Sequence, residues 1–186
     1  MPSVNPVSPE ASRSWRLLAD RLAVEADERT RWGLSLVLMH QEREVAGDLP
    51  ALMSTLIPEP LFRFFGSRGD LEGHDQIEKM YQQVIDSGST RIEFVMTRVV
   101  ADPETVVTEG YTRHAFRGRQ LTAMGANLKG EDVEAEAWYL VDYPVLIVWP
   151  ITPEGIVGED LYHPSPIKVI RKLAEGEMPH LGPVGR

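Results

Sequence analysis

Three groups able to move a proton stand out in the chain, and the first is in residues 39–48, MHQEREVAGD. His40 and Glu44 are four residues apart and so share one face of a helix. Leu34, Val37, Leu38, Gln41 and Val45 recur at helical spacing and mark the side of that helix to be buried, with His40 at its edge. A histidine held against apolar surface needs a hydrogen-bond partner, because an unpaired buried polar group costs roughly 1 to 3 kcal/mol. Two readings stay open for it: a satisfied core histidine or a group that transfers protons. The second group is Tyr81, on a helix predicted over 75–87 with Ile77, Met80, Val84 and Ile85 on the same amphipathic side. The third is on a strand predicted over 156–162, whose alternation puts Val157, Glu159, Leu161 and His163 on one side.

The elements that would carry these groups follow from punctuation and period. Helical composition runs to Ala46, with the charged patch 25–31 breaking it into an accessory helix bearing Trp15, Leu18 and Leu22 and a second helix bearing His40. Gly47 ends that helix, and Asp48 caps a short one containing Leu52, Met53 and Leu56. Pro58 and Pro60 stop it, and a short strand is expected over 61–65. Arg68-Gly69-Asp70 reads as a turn. After Gly88 the period changes to alternation, and four long strands are predicted over 91–102, 105–117, 133–148 and 156–162. Helices first and strands afterwards indicate an α+β fold with helices over one face of a curved antiparallel sheet. The expected division is 1–30 as an extension and accessory helix, 31–165 as the domain, and 166–186 as a short helix over 167–174 with a tail.

Composition excludes several functions. There is no cysteine, so no disulfide, thiol nucleophile or cysteine metal site is available. A net charge of -9 with scattered basic residues argues against nucleic acid as a partner. Apolar runs are too short to span a bilayer and no secretory h-region follows Met1, so no membrane partner and a cytoplasmic location are expected. No glycine-rich phosphate loop follows a strand, and no cofactor is expected. His40, Glu44, Glu159 and His163 are nitrogen and oxygen donors of the kind metals use, but histidine–glutamate helix pairs more often make surface or capping contacts, and no metal is expected either.

The order of AGDLPALMSTL, LFRFFG, GHDQIEKMYQQVI and PEGIVGEDLYH, over about residues 34–162, resembles the nuclear transport factor 2-like superfamily. That superfamily includes SnoaL-like polyketide cyclases, ketosteroid isomerases, scytalone dehydratase and limonene epoxide hydrolase. The resemblance implies a cone-shaped α+β barrel with an apolar pocket between helices and concave sheet. It implies that His40 stands where the ketosteroid isomerases carry an oxyanion-hole tyrosine, eight residues before the Gly-Asp aspartate Asp48, and that Tyr81 is the tyrosine hydrogen-bonding to that group. The general-base aspartate of those isomerases falls at Phe64 and their second acid near Leu146, so steroid isomerisation by that machinery is not expected. The Arg and Asp pair of an epoxide hydrolase is also not evident.

Matching to the family turns the Glu159 side of the last strand toward the pocket, where desolvation would raise the carboxyl pKa and suit it to proton transfer; the other reading is a charged strand-edge residue. His40, Tyr81 and Glu159 are the expected catalytic set. Phe64, His114, Trp138, Trp149, Leu161 and His163 are the expected substrate-binding set, with the strand face of His114 open and the two tryptophans walling pocket or core. The resulting expectation is an acid–base enzyme without cofactor, an isomerase, cyclase, dehydratase or hydrolase, acting on a small hydrophobic molecule such as a polyketide, terpenoid or steroid. The alternative is a non-catalytic ligand-binding or dimerisation module. A homodimer is expected in either case.

Overall fold

The computed structural model describes residues 15–65, 69–123, 133–163 and 169–174. Two helices come first, α1 (Arg16–Val24) and α2 (Glu28–Ala46), divided where the charged patch suggested. The Asp27 side chain accepts a 2.8 Å hydrogen bond from the Thr30 amide to start α2, and Gly47, at φ 68°, ends it in the left-handed conformation that glycine adopts without penalty. Asp48 then caps α3 (Leu49–Met53), folding the chain back beside α2.

Strand β1 (Leu56–Phe65) is longer than the predicted 61–65 because it runs through both prolines. Pro58 and Pro60 fit there because the pairing register is interrupted between Leu56 and Leu61, where no ladder hydrogen bond needs their missing N–H groups. A two-residue strand β2 (Leu71–Glu72) leads into α4 (Gly73–Asp86), followed by β3 (Ile92–Ala101) and β4 (Thr105–Arg117). A short helix α5 (Gly118–Ala123), not foreseen from sequence, precedes β5 (Trp138–Thr152) and β6 (Gly155–Tyr162). The sheet order is β2-β1-β6-β5-β4-β3, and the sheet does not close into a full barrel among the described residues. Pairing is antiparallel as expected except between β1 and β6, which are parallel.

The predicted C-terminal helix over 167–174 is corrected: Val169–Lys172 is a strand, β7, antiparallel to the first half of β5. β6 leaves β5 at Leu146, so residues 139–141 of β5 present an unpaired edge. Val169 and Ile170 suit a strand, and the pairing satisfies backbone groups that a helix would have left open. Residues 1–14 of the expected N-terminal extension and the tail beyond residue 174 lie outside the described residues.

The helices cover the concave face of the sheet. There α2 lays Leu34, Val37 and His40 against Phe62, Phe64, Val106, Ile147, Trp149 and Ile156. Trp15 and Val45 join Ile92 and Phe94 in a second cluster, which buries the flank of α2. His40, expected at the edge of the apolar side, is completely buried, enclosed by Thr55, Tyr81, Trp149 and Glu159.

Candidate functional site

Four side chains from four elements meet beneath α2. His40 Nδ1 lies 2.6 Å from Thr55 Oγ1 and Nε2 lies 2.9 Å from Tyr81 Oη. Tyr81 Oη is 3.0 Å from Glu159 Oε1, and that same oxygen is 3.2 Å from His40 Nε2. His40 and Thr55 are fully buried, and Tyr81 and Glu159 are 3% and 7% exposed.

Local sequence accounts for each placement. The Gly47-Asp48 reversal returns the chain so that Thr55 sits under His40, and the Thr55 carbonyl accepts a 2.9 Å hydrogen bond from Ile156 N, tying the turn to β6. Tyr81 is one turn from Ile77 on the buried side of α4, with Phe62 edge-on at 6.0 Å. Glu159 is opposite Phe62 in the parallel register, so both face the helices, while Asp160 points away and pairs with Arg63 at 2.6 Å. An added Cβ at Gly158 would stand 1.7 Å from the Leu61 carbonyl oxygen, so only glycine lets β6 approach β1 beside Glu159. The Trp149 ring stands edge-on to His40 at 5.5 Å and donates through Nε1 to Thr108 Oγ1 at 3.0 Å.

Counting protons assigns the network. Thr55 has one hydroxyl hydrogen, which it donates to the Leu52 carbonyl at 2.6 Å, so Thr55 Oγ1 can only accept from His40 Nδ1–H. Three atoms then remain in a triangle: His40 Nε2, Tyr81 Oη and Glu159 Oε1. Two hydrogens satisfy it in either of two ways. An imidazolium, a phenol and a carboxylate suffice, and so do a neutral imidazole, a phenol and a carboxylic acid. These arrangements differ only in which of His40 and Glu159 holds one proton. Both Glu159 contacts fall on Oε1, and Oε2 makes no hydrogen bond among the described residues.

Two further groups shape the surroundings. Burial first, and then the Glu159 carboxylate, push the carboxyl of half-buried Glu44 up to about 8. Gln41, next to His40 on α2, is 1% exposed, and its side-chain oxygen has no partner among the described residues. It borders a cavity of about 10 Å³ with Phe94, Met96, Thr108, Val145 and Ile147.

The structure brings His40, Tyr81 and Glu159 into contact. Trp149, Phe64 and Leu161 face the same concave side, packed in one apolar cluster with Tyr81. His163 lies further along, with its ring 5.6 Å from that of Tyr143. His114 also faces inward but is turned away from the triangle: its Nε2–H donates to the Ser89 carbonyl and its ring lies 4.0 Å from Phe116. Burial lowers its pKa to about 4, offset in part by that hydrogen bond, so it is neutral at pH 7. Trp138 is corrected: it pairs with Arg117 on the outer face of the sheet, because its even position on β5 points opposite to Trp149. Thr55 was missed from sequence; its signal was a hydroxyl residue three positions after Leu52 at a helix end. Among the described residues, no three histidine, aspartate or glutamate side chains converge as metal ligands, and no helix is long and apolar enough to cross a membrane.

Comparison with known proteins matches this framework. A structure of an NTF2-like protein from Anabaena variabilis is 16% identical, covering 76% of this chain and 94% of its own, with a TM-score of 0.56. A protein named a SnoaL-like polyketide cyclase from Shewanella putrefaciens is 13% identical, covering 79% and 86%, with a TM-score of 0.60. Another so named, from Jannaschia, is 16% identical, covering 75% and 90%, with a TM-score of 0.56. At these identities the likeness is one of fold. No curated protein matches the chain. The SnoaL-like domain model matches residues 39–133, which carry His40 and Tyr81 but not Glu159, and the chain belongs to the SnoaL-like domain family.

Proposed function

We propose that this protein is an acid–base enzyme without cofactor that acts on a small hydrophobic molecule carrying a carbonyl or hydroxyl group, of the polyketide, terpenoid or steroid kind. The reaction is an isomerisation, cyclisation, dehydration or hydrolysis. The observation that carries this reading is the buried triangle of His40, Tyr81 and Glu159, in which two hydrogens serve three atoms, one too few for every group to be protonated. In the imidazolium form, Glu159 Oε1 is held by Tyr81 and His40, and Oε2 is left to take a proton from carbon or water. Tyr81 orients the pair, and apolar Phe62, Phe64, Trp149 and Leu161 exclude water. Solved relatives named polyketide cyclases support the polyketide end of this range.

The test is exchange of protons next to a carbonyl. Cyclic ketones, β-diketones and aryl methyl ketones are incubated with protein in heavy water and followed by NMR. Wild type is expected to accelerate deuterium uptake into at least one compound, and Glu159→Gln to lose about a hundredfold or more of that acceleration while remaining folded. Undiminished exchange in folded Glu159→Gln refutes the assignment.

The complete burial of His40 favours a second reading, a non-catalytic ligand-binding module in which the triangle is structural. It predicts that a compound perturbs the protein's spectrum without exchanging its own protons. In both readings the uncovered outer sheet face, where Phe65 and Tyr162 stack at 4.2 Å and are each 41% exposed, supports a homodimer.

A further inference from the structure

On the outer face, at the end of the sheet where β7 pairs with β5, two guanidinium groups share one indole. Arg91 stands 5.0 Å from the Trp138 ring centre and Arg117 stands 4.3 Å from it. Arg91 is only 6% exposed, yet its side chain makes no hydrogen bond or ion pair among the described residues, and its Nε is buried without a partner. Burial, and then the neighbouring Arg117, lower its pKa. The Arg117 guanidinium donates to the Glu136 backbone carbonyl and not to a carboxylate. Nearby acids are engaged with other cations: Glu136 with Arg119, Glu134 with Lys172, and Glu93 and Asp142 with Arg113.

This arrangement is costly as it stands. A buried charge without a counter-charge is strongly unfavourable, and a second cation beside it adds repulsion. The indole face offsets part of that through cation–π attraction, but it supplies no acceptor for the guanidinium N–H groups. Guanidinium groups lying over a ring keep their donors at the edges, in the fork that matches the two oxygens of a carboxylate or phosphate. In a chain of net charge -9, two cations in one spot with no carboxylate partner among the described residues are not explained by general surface solubility.

We propose that Arg91, Arg117 and Trp138 form a binding site for a small oxoanion group, a carboxylate or a phosphate, separate from the His40 triangle. The anion accepts from both guanidinium groups at the edge of the indole. The site does not depend on the proposed catalytic activity, and Arg91 and Arg117 contact none of the residues of the triangle.

The experiment titrates full-length protein with sodium phosphate and, separately, sodium succinate, at constant ionic strength maintained with sodium chloride, following the Trp138 indole N–H by NMR. Assignment uses Trp138→Phe, since four tryptophans are present. The expected result is a saturable shift of the Trp138 signal with at least one of the two anions. The arm with the tighter constant identifies the group as phosphate or carboxylate. Arg117→Gln is expected to weaken the constant by about tenfold or more, as loss of a charged hydrogen-bond donor does. Arg91→Gln is expected to do the same; if it fails to fold, Arg117→Gln carries the comparison alone. A response equal to that of sodium chloride, or one unchanged in folded Arg117→Gln, overturns the proposal.

Discussion

Replacing Thr55 by valine and Tyr81 by phenylalanine removes one hydroxyl each from the same buried network, and the proton inventory predicts unequal costs. In Thr55→Val the shape is kept, but His40 Nδ1–H loses its acceptor and the Leu52 carbonyl loses the hydroxyl donor while keeping the residue-55 amide at 3.1 Å. His40 is wholly buried, so no solvent replaces that partner. Leaving a buried donor unsatisfied costs about 1 to 3 kcal/mol, and the second lost bond takes the expected destabilisation to roughly 3 kcal/mol. In Tyr81→Phe, His40 Nε2 and Glu159 Oε1 remain 3.2 Å apart and can share their proton directly. Neither atom is orphaned, so only the net worth of a hydrogen bond, about 1 kcal/mol, is expected to be lost. The assay is equilibrium urea unfolding at pH 7 with the slope compared among variants, so that a change in midpoint reports stability. A cost for Tyr81→Phe equal to or above that for Thr55→Val refutes the assignment of the Nδ1 proton and the direct His40–Glu159 pairing together.

Two other perturbations follow from the same geometry. Glu44 has a folded pKa raised to about 8, so its proton stabilises the folded state below about 4.5 and that contribution is lost as pH rises to about 8; His114, lowered to about 4, contributes stability present above about 6.5 that is lost as pH falls through 4. The two slopes oppose each other from pH 4.5 to 6.5, and above 6.5 only Glu44 acts, so Glu44→Gln is expected to gain about 2 kcal/mol over wild type at pH 8 and nothing at pH 4, measured by urea unfolding at both values. Gly158→Ala drives a Cβ into the Leu61 carbonyl and is expected to cost about 3 kcal/mol and to shift the backbone amide of Glu159; a stability within about 0.5 kcal/mol of wild type would show that β1 and β6 are not as closely apposed as the register requires.

The long amphipathic and alternating segments were legible in the chain because burial on one face writes itself into the period. The break between α1 and α2, the Gly47-Asp48 reversal and the β3 to β6 meander all follow from local signals of that kind. Elements decided by a distant partner were not legible. Val169–Lys172 becomes a strand because β5 outruns β6, and β1 extends through two prolines because its register skips them. Trp138 was misplaced for a related reason: a strand's parity is readable, but which side faces the helices is settled by neighbours, and the two tryptophans of β5 are eleven residues apart on opposite faces. Thr55 had only a local signal, a hydroxyl three positions after Leu52, and its importance comes from where its single hydrogen goes.

The boundary of the family match bears on how the site is built. The matched residues, 39–133, include the C-terminal end of the helix that carries His40 and the whole helix that carries Tyr81, whereas Glu159 belongs to β6, beyond the match. A histidine and a tyrosine alone would hold an ordinary neutral hydrogen bond. A carboxylate stands 3.0 Å from one and 3.2 Å from the other, and its position depends on β6, the last strand of the antiparallel meander, also lying parallel to β1. That pairing depends in turn on Gly158 for close approach and on Thr55, whose carbonyl anchors the Ile156 amide while its hydroxyl fixes the tautomer of His40. The chemistry of the candidate site is therefore set where the last long strand meets the first, and substitutions at Thr55 and Gly158 test that junction without altering any of the three groups that share the proton.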